Sequence, residues 1–184
     1  MDQEKQWIKK VKKNASSEAA NKLISKYYKE MYAFVYKQTL DTDLSLDLTQ
    51  EIFISVLKSI KHFDSHKASF RTWLYRLASN RLVDYYRSKH YKYKQLSESF
   101  DVYDFEDEED MTVSLEYKED VKKITLIVNQ LGSSSQQIVR LKLFGEYTLR
   151  EIAAIVQIPQ STVKTRYYAA LKLIKKEMKE HRYE

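Results

Sequence analysis

Six side chains between Ser161 and Tyr168 have the chemistry to read a nucleic-acid surface: Ser161, Thr162, Lys164, Thr165, Arg166 and Tyr168. Hydroxyls and a guanidinium can hydrogen-bond base edges, while an ammonium neutralises phosphate, so a helix presenting this set outward suits a major groove. A second set, Trp73, Arg76, Asn80, Asp84 and Arg87, recurs at intervals of three and four. That spacing lines them along one helix face mixing cations, an amide and an aromatic ring. Just beyond, Tyr86, Arg87, Lys89, His90, Tyr91, Lys92, Tyr93 and Lys94 interleave rings with positive charge. Alternating stacking platforms and cations suit single-stranded nucleic acid, where stacking is worth ~1–3 kcal/mol per base. A third periodic set, Asp47, Gln50, Glu51, Ile54 and Lys58, is a polar stripe interrupted by one isoleucine. Such a stripe can receive another protein.

The remaining chemistry is defined by what the composition excludes. The chain contains no cysteine, which removes disulfide frameworks, thiol nucleophiles and cysteine-built zinc sites and fits a reducing cytosol. His62, His66, His90 and His181 show no paired metal spacing. Gly132 and Gly145 are the only glycines, and neither has the partner that a Walker loop or a GxGxxG fingerprint requires. A nucleotide-binding enzyme, a cofactor and a metal site are therefore not expected. No run approaches the ~20 apolar residues of a membrane span, and the amino terminus lacks the apolar centre of a signal peptide.

Helices must position these groups. Pro159 and the two glycines are the whole supply of the residues on which hairpins and tight loops depend, so the fold class is all-α. Leu23, Tyr27, Tyr28, Met31, Phe34 and Val35 make one buried stripe, Leu48, Ile52, Phe53, Val56, Leu57 and Ile60 a second, and Leu74, Leu77, Ala78, Leu82 and Tyr85 a third. Farther on, Val121, Ile124, Ile127, Val128 and Leu131 give another amphipathic helix, which Gly132 is expected to end as a carboxy-terminal cap. Ser133 with Gln136 and Thr148 with Glu151 have the spacing of capping boxes, and Gly145 is expected to stop the helix between them. LREIAAIVQ, then Ile158 and Pro159, then a helix from about Ser161 read as a helix-turn-helix. Gln157 takes the turn position where glycine is usual, so either it adopts a positive φ at modest cost or the turn is reshaped.

Charge divides the chain. Residues 1–97 carry 19 basic and 10 acidic side chains, residues 98–120 carry 1 and 11, and residues 121–184 carry 12 and 5, within a total of +6. Two basic helical blocks flank a self-repelling acidic stretch. The expected organisation is therefore two small helical domains, 1–94 and 118–184, joined by a flexible acidic linker over 95–117.

Together the blocks resemble a known family. DLTQEIFISVLKSI followed by FRTWLYRLASNRLVDYYRSK is similar to the promoter-melting domain (region 2) of extracytoplasmic-function (ECF) RNA polymerase sigma factors of the sigma-70 superfamily. YTLREIAAIVQIPQSTVKTRYYAALKLIKKEM is similar to their domain that reads the minus-35 element (region 4). The resemblance implies a dissociable, cytoplasmic specificity subunit, with no catalytic site of its own, that binds core RNA polymerase and directs promoter-specific initiation. By position it puts Asp47, Gln50, Glu51 and Ile54 in the helix that docks on the polymerase clamp. Asp64, Ser65, His66, Lys67, Ala68 and Ser69 fall in the loop that captures a flipped minus-10 base. Trp73, Arg76, Asn80, Asp84 and Arg87 fall in the helix that meets the opening duplex, and Ser161, Thr162, Lys164, Thr165, Arg166 and Tyr168 in the minus-35 reader. Ala169 stands where relatives often carry a basic residue. The acidic linker would thread the polymerase channel, and the absence of the principal sigma factor's extra domains implies control by an anti-sigma factor. The alternatives are a free-standing helix-turn-helix regulator, whose mark would be a ligand or dimerisation domain, and an interaction protein with incidental basic patches.

Overall fold

The computed structural model describes residues 3–88 and 111–180, and all regular structure among them is helical. Contacts divide the chain into two compact units, Met1–Arg81 and Leu82–Glu184.

The first unit contains α1 (Gln3–Asn14), α2 (Ser17–Thr39), α3 (Thr42–Ser59), a 3-10 turn (Ile60–His62) and the larger part of α4 (Phe70–Arg87). Short polar side chains start the helices. Ser16 Oγ accepts from the Ala19 amide at 3.3 Å to open α2, and Asp41 Oδ1 accepts from the Leu44 amide at 2.9 Å to open α3, each satisfying an amide that has no carbonyl within its helix. The reversals between these helices pass through left-handed backbone at Ala15 and Leu40, with φ of 48° and 52°. Leu23, Met31 and Val35 of α2, Leu48, Ile52 and Val56 of α3, and Leu74 and Ala78 of α4 are buried, as their periodicity predicts. Leu57 is not: it stands 37% exposed on the outer side of α3, because at 100° per residue it has rotated away from the Leu48–Ile52 line. An aromatic nest of Phe63, Phe70 and Trp73, with ring centroids 5.2–5.7 Å apart, pins both ends of the segment between the 3-10 turn and α4.

The second unit comprises the last turns of α4 and then α5 (Met111–Gln130), α6 (Ser133–Leu143), α7 (Leu149–Val156) and α8 (Gln160–Glu180). α5 begins inside the span expected as linker, while the rest of that span, 95–110, lies outside the described residues. Ile127, Val128, Val139, Ala170 and Ile174 form its central cluster, with Ile124, Leu131 and Met178 packed around them. Arg140 is fully buried, its guanidinium 4.1 Å from the centre of the Tyr86 ring.

Two capping expectations need correction. Gly132 does not close α5 in left-handed backbone; at φ −62° and ψ 147° it is the N-cap of α6. Ser133 is then the first helical residue rather than a cap, and the Ser133–Gln136 box does not form. Instead the Gln136 amide nitrogen donates to the carbonyls of Asn129 and Leu131 at 3.0 and 2.9 Å, closing the end of α5 from the next helix. A side chain supplies what a left-handed glycine would otherwise have supplied. Near Gly145 the left-handed residue is Glu146, with φ 60°. The glycine is needed for close approach, since an added Cβ would sit 2.9 Å from the Leu141 carbonyl and 2.9 Å from the Tyr147 ring.

Candidate nucleic-acid interface

α7 and α8 make the helix-turn-helix. Thr148 Oγ1 accepts from the Glu151 amide at 3.2 Å while Glu151 Oε2 accepts from the Thr148 amide at 2.8 Å, a complete capping box that starts α7. Gln157 ends it in left-handed backbone, φ 57° and ψ 45°, so of the two outcomes open at this position the positive φ is the one adopted. The Ile158 amide reaches Ala153 O at 3.3 Å, and the Val163 amide reaches Pro159 O at 3.1 Å as α8 starts. Buried Val163, Ala170 and Ile174 fix the inner face of α8.

Fixing the inner face also fixes what is shown outward. Ser161, Lys164, Thr165 and Tyr168 are exposed and form one ridge at helical spacing, with Tyr168 at 59% exposure. Lys172 continues that ridge by one more turn and is exposed as well; the sequence reading stopped short of it, although the i+4 step from Tyr168 is there to be counted. Thr162 and Arg166 lie on the flank. Arg166 Nη1 donates to Ser134 Oγ at the start of α6, so this guanidinium is tied to its own unit. Thr165 Oγ1 bonds Ser161 O at 3.1 Å.

In the first unit, Asp64 to Ser69 span the gap between the 3-10 turn and α4 as an ordered turn. Asp64 Oδ1 accepts from the His66 amide at 2.9 Å, and Asp64 O accepts from the Lys67 and Ala68 amides at 3.1 and 3.3 Å. Ser65, His66 and Lys67 are exposed at its tip. Ser69 differs from its neighbours: its Oγ accepts from the Thr72 amide at 3.1 Å, which makes it the cap of α4. Trp73, Arg76 and Asn80 are half-buried along one face of α4, and Asp84 and Arg87 are exposed farther along the same face. Tyr86 is buried, so it offers no stacking platform. Lys89, His90, Tyr91, Lys92, Tyr93 and Lys94 lie outside the described residues, as does His181.

On α3, Asp47, Gln50, Glu51 and Ile54 are all exposed, opposite the core-facing Leu48, Ile52 and Val56. Glu51 is held by Arg81 of α4, whose Nε donates to Glu51 Oε2 at 2.6 Å. Ile54, at 49% exposure, is not alone: Leu46 and Leu57 are exposed at 36% and 37%. Spacings of eight and three put the three on one side of α3. The sequence reading missed both leucines, because a leucine in an amphipathic helix counts toward the core until packing shows otherwise.

Among the described residues no helix is long and apolar enough to cross a membrane, and no three His, Asp or Glu side chains are grouped to hold a metal ion.

The Sigma-70 region 2 family model matches residues 23–91 and the Sigma-70 region 4 model matches residues 122–174. The ECF RNA polymerase sigma factor SigW of Bacillus subtilis strain 168 is 31% identical over 186 residues, covering 96% of this chain and 97% of SigW. Among solved structures, CnrH in complex with the cytosolic domain of CnrY superposes with a TM-score of 0.61 at 14% identity, over 97% of this chain and 98% of that one. The sigma factor RpoE in complex with the anti-sigma factor NepR, from Bartonella quintana, gives 0.54 at 18% identity, over 86% and 96%. Those two likenesses show the fold; the two region matches, which hold the Asp64–Ser69 turn and the helix-turn-helix in this order, and the relationship to SigW go further, and the chain belongs to the ECF family of RNA polymerase sigma factors.

Proposed function

We propose that the exposed groups described above divide the work of a promoter-specificity subunit among three surfaces. The α3 stripe of Asp47, Gln50, Glu51 and Ile54, extended by Leu46 and Leu57, docks on core RNA polymerase. The turn from Asp64 to Ser69 and the α4 face from Trp73 to Arg87 engage the minus-10 element as it opens. Extruding a base costs a few kcal/mol, and an ordered turn pinned at both ends by aromatic rings receives it without first having to be ordered. The α8 ridge enters the major groove of the minus-35 element. The protein contributes no bond-making chemistry of its own, acts in the cytoplasm beside the polymerase, and is held in check by an anti-sigma factor, as the RpoE relative is bound by NepR.

The observation that carries this reading is the apolar ridge of Leu46, Ile54 and Leu57 on a helix that already buries its opposite side in the core. A monomeric helical domain has no internal use for it, and an apolar patch rimmed by acids and an amide has the anatomy of a protein interface. Ile54→Asp tests it, because the position faces solvent and the fold tolerates the change. Titration of labelled protein with core polymerase should show affinity falling by roughly thirtyfold or more, the loss expected of a central contact worth ~2 kcal/mol or more. Unchanged affinity would remove α3 as the docking surface. Protection of a promoter site by the protein without polymerase would favour a free-standing regulator instead.

A further inference from the structure

α1 precedes the region 2 match, which begins at residue 23, and it is strongly basic. It packs on α2 and on the 3-10 turn, anchored by buried Ile8 and Val11 and by the Tyr27 hydroxyl, which donates to Glu4 Oε2 at 2.7 Å. Between α1 and the start of the base-loop segment lies a cleft of about 410 Å³, with Lys5, Lys9, Lys12 and Lys13 on one side, Phe63 and Ser65 on the other, and Ile8 between.

The four lysines are not equivalent. Lys12 Nζ donates to Phe63 O at 2.6 Å, so its charge is committed to holding the loop where it leaves the 3-10 turn. Lys5, Lys9 and Lys13 are exposed, and none has an acidic side chain at ion-pair distance among the described residues. Steps of four put them on one edge of α1, a line of like charge ~12 Å long. Like charges at this spacing destabilise a helix, and none of the residues that line the cleft is acidic. A polyanion laid along the edge would offset them.

We propose that this edge of α1 is a phosphate-binding track for single-stranded DNA, receiving the backbone of the melted strand where it continues from the base held at the Asp64–Ser69 turn. The inference rests on the assignment of that turn to the minus-10 element. Ser65 belongs to both surfaces, so a strand with a base at the tip of the turn passes directly into the cleft. The apolar floor of Ile8 and Phe63 accepts the sugar face while the three ammonium groups meet the phosphates. Because phosphates, not bases, are bound, the track adds affinity without sequence preference.

The test uses holoenzyme with the variant Lys5→Gln/Lys9→Gln/Lys13→Gln, leaving Lys12 in place. The probes are fluorescent fork-junction DNAs built from promoters that wild-type holoenzyme transcribes, with single-stranded extensions of increasing length at the minus-10 end. The expected result is a loss of roughly tenfold in affinity at moderate salt, confined to probes with the extension, and a decrease of about 2 in the salt slope for three phosphates on a single strand. Equal affinity and slope would overturn the proposal, leaving the stripe as a solvated face. A loss that appears instead in binding to core polymerase without DNA would overturn it in favour of a protein contact. A gain in DNA affinity would overturn it too, as the sign that an acidic segment occupies the cleft. Asp64→Ala/His66→Ala separates this outcome from failure of the turn assignment: that variant should lose base preference at the unpaired minus-10 position while keeping the salt slope. If base preference persists there, the turn assignment fails, whatever the lysines do.

Discussion

Lys164 and Arg166 are two residues apart on α8, yet they leave it in different directions. Chemistry alone favours the guanidinium as base reader, since a planar fork can clasp a guanine edge with two hydrogen bonds and an ammonium acts as a point charge. Packing argues for the reverse. Arg166 is on the flank, bonded to Ser134 of α6, whereas Lys164 stands on the exposed ridge with Ser161, Thr165 and Tyr168. Lys164→Ala should therefore change base preference at one minus-35 position, at a cost of ~1–3 kcal/mol for the preferred base. Arg166→Ala should weaken all promoters by a similar factor and leave the preference intact, because it loosens α8 against α6. Binding measured on promoters randomised across the minus-35 element distinguishes the two. Altered preference in Arg166→Ala alone would restore the guanidinium as reader.

At the level of elements, the turn from α6 to α7 is built by close approach. Gly145 leaves no room for a Cβ between the Leu141 carbonyl and the Tyr147 ring, and Leu141 in α6 and Tyr147 in the connection are both buried, so neither gives way cheaply. Gly145→Ala should cost ~1–3 kcal/mol, the range for overpacking a filled site. A thermal melt followed by circular dichroism should show it as a lowered midpoint. Gly132→Ala supplies the control, because nothing lies within 4 Å of an added Cβ there and only the mild N-cap preference of glycine over alanine is lost. If the two variants melt together, close approach at Gly145 is not what shapes the turn. The same economy runs through the other turns, where Ala15, Leu40, Glu146 and Gln157 hold the left-handed positions, each at a backbone cost of ~1–2 kcal/mol that glycine would avoid.

For the whole molecule, charge and connectivity matter more than any one contact. Each unit buries its own core, and acidic residues dominate the sequence from 98 to 120, between two basic blocks. The Asp64–Ser69 turn belongs to the first unit and the α8 ridge to the second, and if both read DNA, as proposed, they gain specificity only when a third body sets their spacing, since the second surface otherwise adds little to the first. The protein without polymerase should bind promoter duplex weakly and with steep salt dependence, and core polymerase should convert this to a defined footprint over both elements. Footprinting at moderate salt with and without core polymerase checks it. A sharp footprint from the protein alone would mean that the units hold their own spacing.

Much of this was legible in the chain before it folded. The scarcity of glycine and proline excluded sheets, because backbone reversals in hairpins need those residues. The periods of three and four placed most core residues, because a helix repeats its environment every 3.6 residues. The Thr148–Glu151 box was readable because it is local, decided by residues within one turn of each other; the turn position of Gln157 was readable for the same reason, but not which of its two conformations it takes. What only the tertiary structure decided depends on partners distant in sequence. Gln136 closes α5 rather than capping α6, Arg166 is drawn to Ser134, and Arg140 is buried on the Tyr86 ring. Leu46 and Leu57 join Ile54 on the outside, and four lysines of α1 come to face Phe63 and Ser65. Periodicity says that a helix has two faces; which face meets protein, which meets water and which is left for a ligand is settled by the rotation at which each helix packs on its neighbours.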